Sequence, residues 1–248
     1  MIIKMGEAKA SRRGNSRSLA ERAYELIREN ILRGKYPLGA ALSRRDIARQ
    51  LRMSFVPVSE ALQRLEIDGL VESRPQVGTR VRIPTAEDVR ERYVLREALE
   101  SQSARLFAEK ASCAQKKELR EMAVHLDSLY AVSSNADGDF LHSVHAYHMK
   151  FHLQVADGAD CKLLRDAIER EQVLVFNWLF DASARRKPLP AKFHSNLASA
   201  LASSDVRLAD HTMREHVRFG LGTILANLAF EPRETWRVRR ARPTVQAG

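Results

Sequence analysis

Between Leu19 and Val81 the spacing of apolar residues changes from three-or-four to two, and this change limits the possible folds more than any other feature. The stretch "SLAERAYELIRENILRG" places Leu19, Ala23, Leu26, Ile27 and Ile31 on one helical face, with Gly34 as a stop. "YPLGAAL" reads as a turn, and Ser43 suits the N-cap of a short helix, "RRDIARQL". Val58, Ala61, Leu62 and Leu65 share one face of a further helix near 57–69, which ends at Gly69. "LVESRPQVGTRVRIP" then reads as two short strands around a turn. Three helices followed by a β-hairpin form the pattern of a winged helix-turn-helix.

From Thr85 onward the pattern is helical. "TAEDV" opens this region with a loose capping box, Asp88 lying three residues after Thr85. Breaks fall near Ser112, Asp137-Gly138, Gly158, Arg185 to Pro190, and Ser203-Ser204, which predicts about six helices, each with an apolar stripe, and no strands. The expected fold class is therefore mainly α, an N-terminal winged helix-turn-helix followed by an all-α helical bundle. The expected divisions are a disordered basic arm over 1–16, a DNA-binding unit over 17–84, the bundle over 85–230, and a basic tail over 231–248.

Charge separates the two units. Residues 1–84 hold 17 Lys/Arg against 9 Asp/Glu, whereas residues 85–230 hold 19 against 20. The formal charge of +10 thus sits on the first unit and the tail, which suggests that the first unit binds an anionic polymer. Cys113 and Cys161 make no metal or redox motif and fit a reducing compartment. The start of the chain lacks an apolar core of signal-peptide length, and the longest apolar run, "VLVFNWLF", is too short to span a bilayer. A cytoplasmic protein with no membrane partner is the expectation.

A helix that enters the major groove needs small or polar residues at its start and Arg or Lys nearby for phosphates. "RMSFVPVSEALQRLEIDGLV" supplies Arg52, Ser54, Ser59, Gln63 and Arg64 around a compact apolar face. The hairpin offers Arg74, Gln76, Arg80 and Arg82, with Gly78 letting the backbone come close. In the bundle, His148 lies in the stripe of Leu141, Val144, Phe151 and Val155, and His152 follows one turn later. A pair at that spacing can hold one metal ion or simply fill a helix face. His194 shares a face with Leu197 and Leu201, and His216 with Met213 and Gly220. Four inward histidines in one helical domain suggest a metal centre, because bundles build such sites from facing helices. The rival reading is a metal-dependent helical-bundle enzyme. The helical metalloprotease motif needs a Glu after its first His as general base; here that position is Met149, with no carboxylate between His148 and His152. No enzyme activity is expected.

The segment "YELIRENILRGKYPLGAALSRRDIARQLRMSFVPVSEALQRLEIDGLVESRPQVGTRV" resembles the winged helix-turn-helix of GntR-type bacterial transcription regulators. Gly34, Leu38-Gly39, Leu42, Ile47-Ala48, Ser54, Pro57-Val58, Glu60-Ala61-Leu62, Arg64-Leu65, Gly69-Leu70 and Gly78 carry the resemblance. The helical remainder is similar to the FCD-type effector domain of one subfamily. The resemblance implies a ligand-responsive regulator, a repressor released by a small organic acid, working as a homodimer on double-stranded operator DNA. Arg45, Arg64 and the wing residues Gln76, Gly78 and Thr79 match family DNA contacts. The family usually has Arg and Thr where this chain has Phe55 and Val56, and a second Arg where it has Ser59. The expected DNA-contacting set is Arg45, Ser54, Phe55, Val56, Ser59, Gln63, Arg64, Gln76, Gly78 and Thr79.

FCD-type domains hold a divalent metal with an Asp and a His at i, i+4 and two histidines from later helices. Matching "FHLQVADGADCKLL", "KFHSNLASAL" and "TMREHVRFG" puts His152, His194 and His216 at the family's histidines and His148 at the Asp. Four imidazoles suit zinc or nickel. His145, at the edge of the same stripe, is the substitute ligand. Arg96 in "YVLREALE" matches an arginine that lines the acid pocket; alternatively it forms a surface ion pair with Glu100 at i, i+4.

Overall fold

A computed structural model of the chain describes residues 18–132, 138–183 and 189–227, with the backbone alone over 173–183. The expected arm over 1–16, the tail over 231–248 and residues 133–137, 184–188 and 228–230 of the expected bundle lie outside these, and with them most of the expected breaks at Asp137-Gly138 and Arg185 to Pro190.

Helix α1 (Leu19–Leu32) starts at Ser18, whose hydroxyl accepts from Glu21 N at 3.0 Å, and it buries Ala23, Ile27, Ile31 and Leu32. Strand β1 (Ala41–Leu42) leads into α2 (Arg44–Leu51), capped by Ser43. Helix α3 (Phe55–Ile67) buries Pro57, Val58, Ala61, Leu62 and Leu65 against α1 and α2. It begins two residues before the predicted start at 57. Pro57 falls in the first turn, where backbone N–H groups have no partner inside the helix, so its missing N–H costs nothing. Beyond α3, Gly69 adopts φ 78°, and Leu70 N donates to Leu65 O at 2.9 Å, closing the helix end.

Strands β2 (Val71–Arg74) and β3 (Gly78–Val81) pair antiparallel, with Val71 opposite Val81 and Arg74 opposite Gly78. The hairpin turn holds Gln76 at φ 60° and Gly78 at φ 121°. β1 adds to the other edge of β3, giving the order β1-β3-β2. The segment expected to be only a turn therefore also supplies a strand, one too short to show an alternating pattern.

The six helices expected after Thr85 are α4 (Ala86–Lys110), α5 (Cys113–Val132), α6 (Gly138–Gly158), α7 (Lys162–Ser183), α8 (Phe193–Leu201) and α9 (Val206–Asn227). Helix α4 packs along α9 and against α6 and α7, while α5 packs on α6 and α8. Tyr93, Phe107, Leu119, Leu126, Phe151, Ile168 and Leu197 fill the space between them. At the junction with the wing, Thr85 and Asp88 form a full capping box, with bonds of 2.8 and 3.1 Å. The same carboxylate accepts from Arg82 Nη2 at 2.8 Å, which ties the start of α4 to the chain leaving β3. Burial works against the Asp88 charge, but the Thr85 donors and Arg82 hold its carboxyl below the usual range. Among the described residues no helix is long and apolar enough to cross a membrane.

Candidate nucleic-acid interface and metal centre

The amphipathic pattern of α3 turns one side inward and leaves Ser54, Phe55, Val56, Gln63 and Arg64 exposed. Phe55 is 51% and Val56 62% exposed. Arg45 is exposed on α2, as are Gln76 and Gly78 at the wing tip. Other expected contacts sit differently. Ser59 is half-buried and its Oγ has no hydrogen-bond partner among the described residues. Thr79 is buried, with its hydroxyl 3.0 Å from Ser73 Oγ, so its side chain faces inward from the wing. Arg80 is buried and donates to Glu72 at 2.7 Å. Arg82 is half-buried and engaged by Asp88, while Arg74 is exposed. Arg64 stands 4.1 Å over the Tyr24 ring and 3.5 Å from Glu21, on the side of α1.

Three helices bring the four candidate histidines together in the bundle. His148 and His152 project from α6, His194 from the first turn of α8, and His216 from α9; all four are buried. The Nε2 atoms of His148, His152 and His216 lie 3.0, 3.2 and 3.3 Å from one another. His194 joins them, since the ligand atoms of His148, His194 and His216 all fall within 4.8 Å.

Partners behind the rings set their proton positions. Glu100 Oε2 lies 2.5 Å from His152 Nδ1, and Asp127 Oδ1 lies 2.8 Å from His194 Nδ1. A carboxylate can only accept, so both Nδ1 atoms carry the proton and both Nε2 atoms turn a lone pair inward. Tyr130 O–H sits 2.9 Å from His148 Nδ1. Three Nε2 atoms in mutual contact, one of them unprotonated, cannot all be joined by hydrogen bonds, because the remaining pair would set donor against donor. A cation between them removes the conflict. Ligand nitrogens about 2.0–2.1 Å from a tetrahedral zinc ion are about 3.3 Å apart, close to the spacing seen. The residues therefore fit one divalent ion. His145 is buried beside the Tyr130 ring, 6.4 Å between centroids.

The surrounding charges were only partly readable. Burial opposes the charge of Glu100, but Arg96 and His152 hold its carboxyl down at about 2. Burial likewise opposes the Asp127 charge, and donors from His194 and Ser195 keep that carboxyl well below the usual range. Burial, reinforced by neighbouring rings and Arg96, pushes His148 and His216 well below the ordinary histidine value. Arg96 does pair with Glu100, but inside the protein rather than at the surface. Its other donors lie 3.2 Å from Tyr93 O–H and 3.4 Å from His152 Nε2.

Arg96 also lines a cavity with His148, His194, His216, Tyr130 and Phe193, so its pairing with Glu100 does not remove it from the cavity wall. The space is about 30 Å³ for the centre of a water-sized group, room for about two waters. Asp127 has no mark in the sequence, and Glu100 stands out there only as a surface ion-pair partner of Arg96, whereas both are placed behind the rings. Glu100 falls in line with Val89, Tyr93, Arg96 and Phe107 at helical spacing, a pattern that could have marked it as inward-facing.

The chain matches the description "Bacterial regulatory proteins, gntR family" over residues 19–81 and "FCD domain" over 91–219. It is 33% identical over 209 residues to a Paenarthrobacter nicotinovorans protein named "Probable D-xylose utilization operon transcriptional repressor", covering 84% of this chain and 89% of the relative. It is 26% identical over 200 residues to the Escherichia coli K12 "HTH-type transcriptional repressor RspR", covering 80% and 85% respectively. Among solved structures, the fold is similar to E. coli McbR/YncC, with TM-score 0.68, 22% identity, and coverage of 85% and 98%. A GntR transcriptional regulator from Rhodococcus sp. RHA1 gives TM-score 0.66 at 26% identity, with coverage of 84% and 97%. With both descriptions matched in order along one chain, the protein belongs to the gntR family of bacterial regulatory proteins, carries an FCD domain, and is a DNA-binding transcription regulator rather than an enzyme.

Proposed function

We propose that the protein is a repressor whose hold on operator DNA is released by a small organic acid bound beside a divalent metal. Residues 17–84 read the DNA and residues 85–230 sense the acid. His148, His152, His194 and His216 hold the ion, zinc or nickel, which supplies a positive centre for a carboxylate. Arg96 on the cavity wall supplies a second one. The cavity admits the carboxylate end of a small acid, with Leu189, Phe219 and Thr223 around the remainder. A homodimer presents two recognition helices to a palindromic operator. Relatives named as repressors support the sign of regulation.

The convergence of the Nε2 atoms carries this reading, because hydrogen bonds cannot satisfy all three contacts at once and a shared cation can. His148 stands where the family pattern has an Asp, so no ligand brings a negative charge. Glu100 and Asp127 place that charge one residue further from the ion, offset in part by Arg96. The test combines metal analysis of protein purified without chelator with a panel of small carboxylic acids. Bound zinc or nickel is expected, with at least one acid that raises the melting temperature and weakens operator binding. Linkage requires that the same acid bind the DNA complex more weakly than the free protein. Protein that takes up neither metal, or that no acid stabilises, would overturn the sensor reading.

A further inference from the structure

The exposed side of α3 has a fixed order along its axis. Its first turn presents Phe55 and Val56, 51% and 62% exposed, beside exposed Ser54. The next turn on that side presents half-buried Ser59 and exposed Glu60, and only then come Gln63 and Arg64. No Lys or Arg occurs between Arg52 and Arg64. Arg64 itself lies over Tyr24 near Glu21, beside α1. The Ser54 side chain makes no capping hydrogen bond, which leaves the first N–H groups of α3 available to a phosphate and lets the helix enter end-on.

Base edges in the major groove differ chemically. Guanine shows two acceptors, N7 and O6, which are read by Arg or Lys; thymine shows its C5 methyl, which is read by apolar contact. The first two turns of α3 carry no cation for guanine, and Glu60 on the same side would repel its acceptors. They do carry an aromatic ring and a branched aliphatic side chain held in water, with the protein core on the opposite face. Resting on the DNA-regulator reading above, we propose that Phe55 and Val56 read thymine C5 methyl groups. The operator half-site beneath the first turn of α3 then carries thymine rather than guanine.

The test starts by selecting operators for the full-length protein from random-sequence duplexes. Each recurring thymine in the best duplex is then replaced by deoxyuridine, which lacks only the methyl group, and affinity is read by fluorescence anisotropy. Loss of one methyl contact is expected to weaken binding about fourfold, and loss in both half-sites about fifteenfold. Phe55→Ala should weaken binding to the thymine duplex and shrink the deoxyuridine effect to below about twofold. Phe55 lies outside the buried core, so the melting temperature of this variant should stay unchanged; if it does not, Val56→Ala serves the same cycle. Deoxyuridine tolerated at every thymine, or guanine recurring under the first turn, would overturn the inference alone. No enrichment of any sequence would instead overturn the regulator reading, and the inference with it.

Discussion

Helices α3 and α6 use their two sides in opposite ways. α3 buries a compact apolar row and leaves Phe55, Val56, Gln63 and Arg64 to solvent. α6 buries Val144, Phe151 and Val155 and, in the same stripe, His148 and His152. On α3 the side chains proposed to touch the ligand are spectators of folding. On α6 the proposed ligands are part of the core, where polar atoms need partners and a lost partner is expensive. Stability and function should therefore be separable in the first helix and inseparable in the second.

The largest expected effect tests the second half of that contrast. Glu100→Gln keeps the shape of the side chain but leaves the buried Arg96 guanidinium without its counter-charge. Unfolding free energy should fall by about 3–5 kcal/mol in urea titration. A fall under about 1 kcal/mol, typical of an exposed pair, would remove the basis for treating this side as core. Next comes Asp127→Asn. Asp127 accepts from the backbone N–H of His194 and of Ser195 at 2.9 and 3.0 Å, capping α8 from α5. Asn retains one of the two accepting oxygens and loses the charge behind His194. Metal affinity, measured by chelator competition, should drop about 10–100-fold; unchanged affinity would show that the contact serves the helix end alone.

Arg45→Ala and Gln63→Ala probe the other helix-turn-helix surface. Each should cost about 1–3 kcal/mol of operator binding and change stability by less than about 0.5 kcal/mol. A matching drop in melting temperature would break the separation claimed for that surface. The smallest effect concerns pH in metal-free protein. His148 and His216 are pushed down by burial and stay neutral in the folded state, while in the unfolded chain they gain protons near pH 6.5. The unfolded state then binds more protons, so stability is lost as pH falls and is level above this range. Between pH 7 and 6.5 the two groups should cost about 0.5 kcal/mol, with a steeper loss below. His148→Asn should flatten this dependence, and an unaltered slope would locate its cause elsewhere.

Local patterns made most of the fold legible. Ser43, Gly69 and the Thr85–Asp88 pair mark helix ends because capping chemistry acts within a few residues. The histidines were legible because helical spacing and the family resemblance both pointed to them. Asp127 was not, since its partner His194 is 67 residues away and nothing local signals the contact. Glu100 was visible but misplaced, as an i, i+4 ion pair looks the same in sequence whether it faces water or the core. Thr79 and Arg80 were hidden in another way. A two-residue β1 on the outer edge of β3 turns a nominal wing into the middle strand of a sheet, and middle strands bury what edge strands display.

The clamp formed by Arg82, Asp88 and Thr85 bears on how a signal could travel. α4 has 25 residues, a rod about 38 Å long at about 1.5 Å per residue. Partway along it Glu100 holds His152 of α6, and the clamp ties one end to the chain leaving the wing. Such a rod transmits tilt as a gear transmits rotation. A swing of about 3° moves one end by about 2 Å relative to the other, against a rise of about 3.4 Å per base step along one strand. In the proposed dimer two rods would swing in mirrored senses, so a small rearrangement around Arg96 would become a misfit of more than half a base step at each half-site.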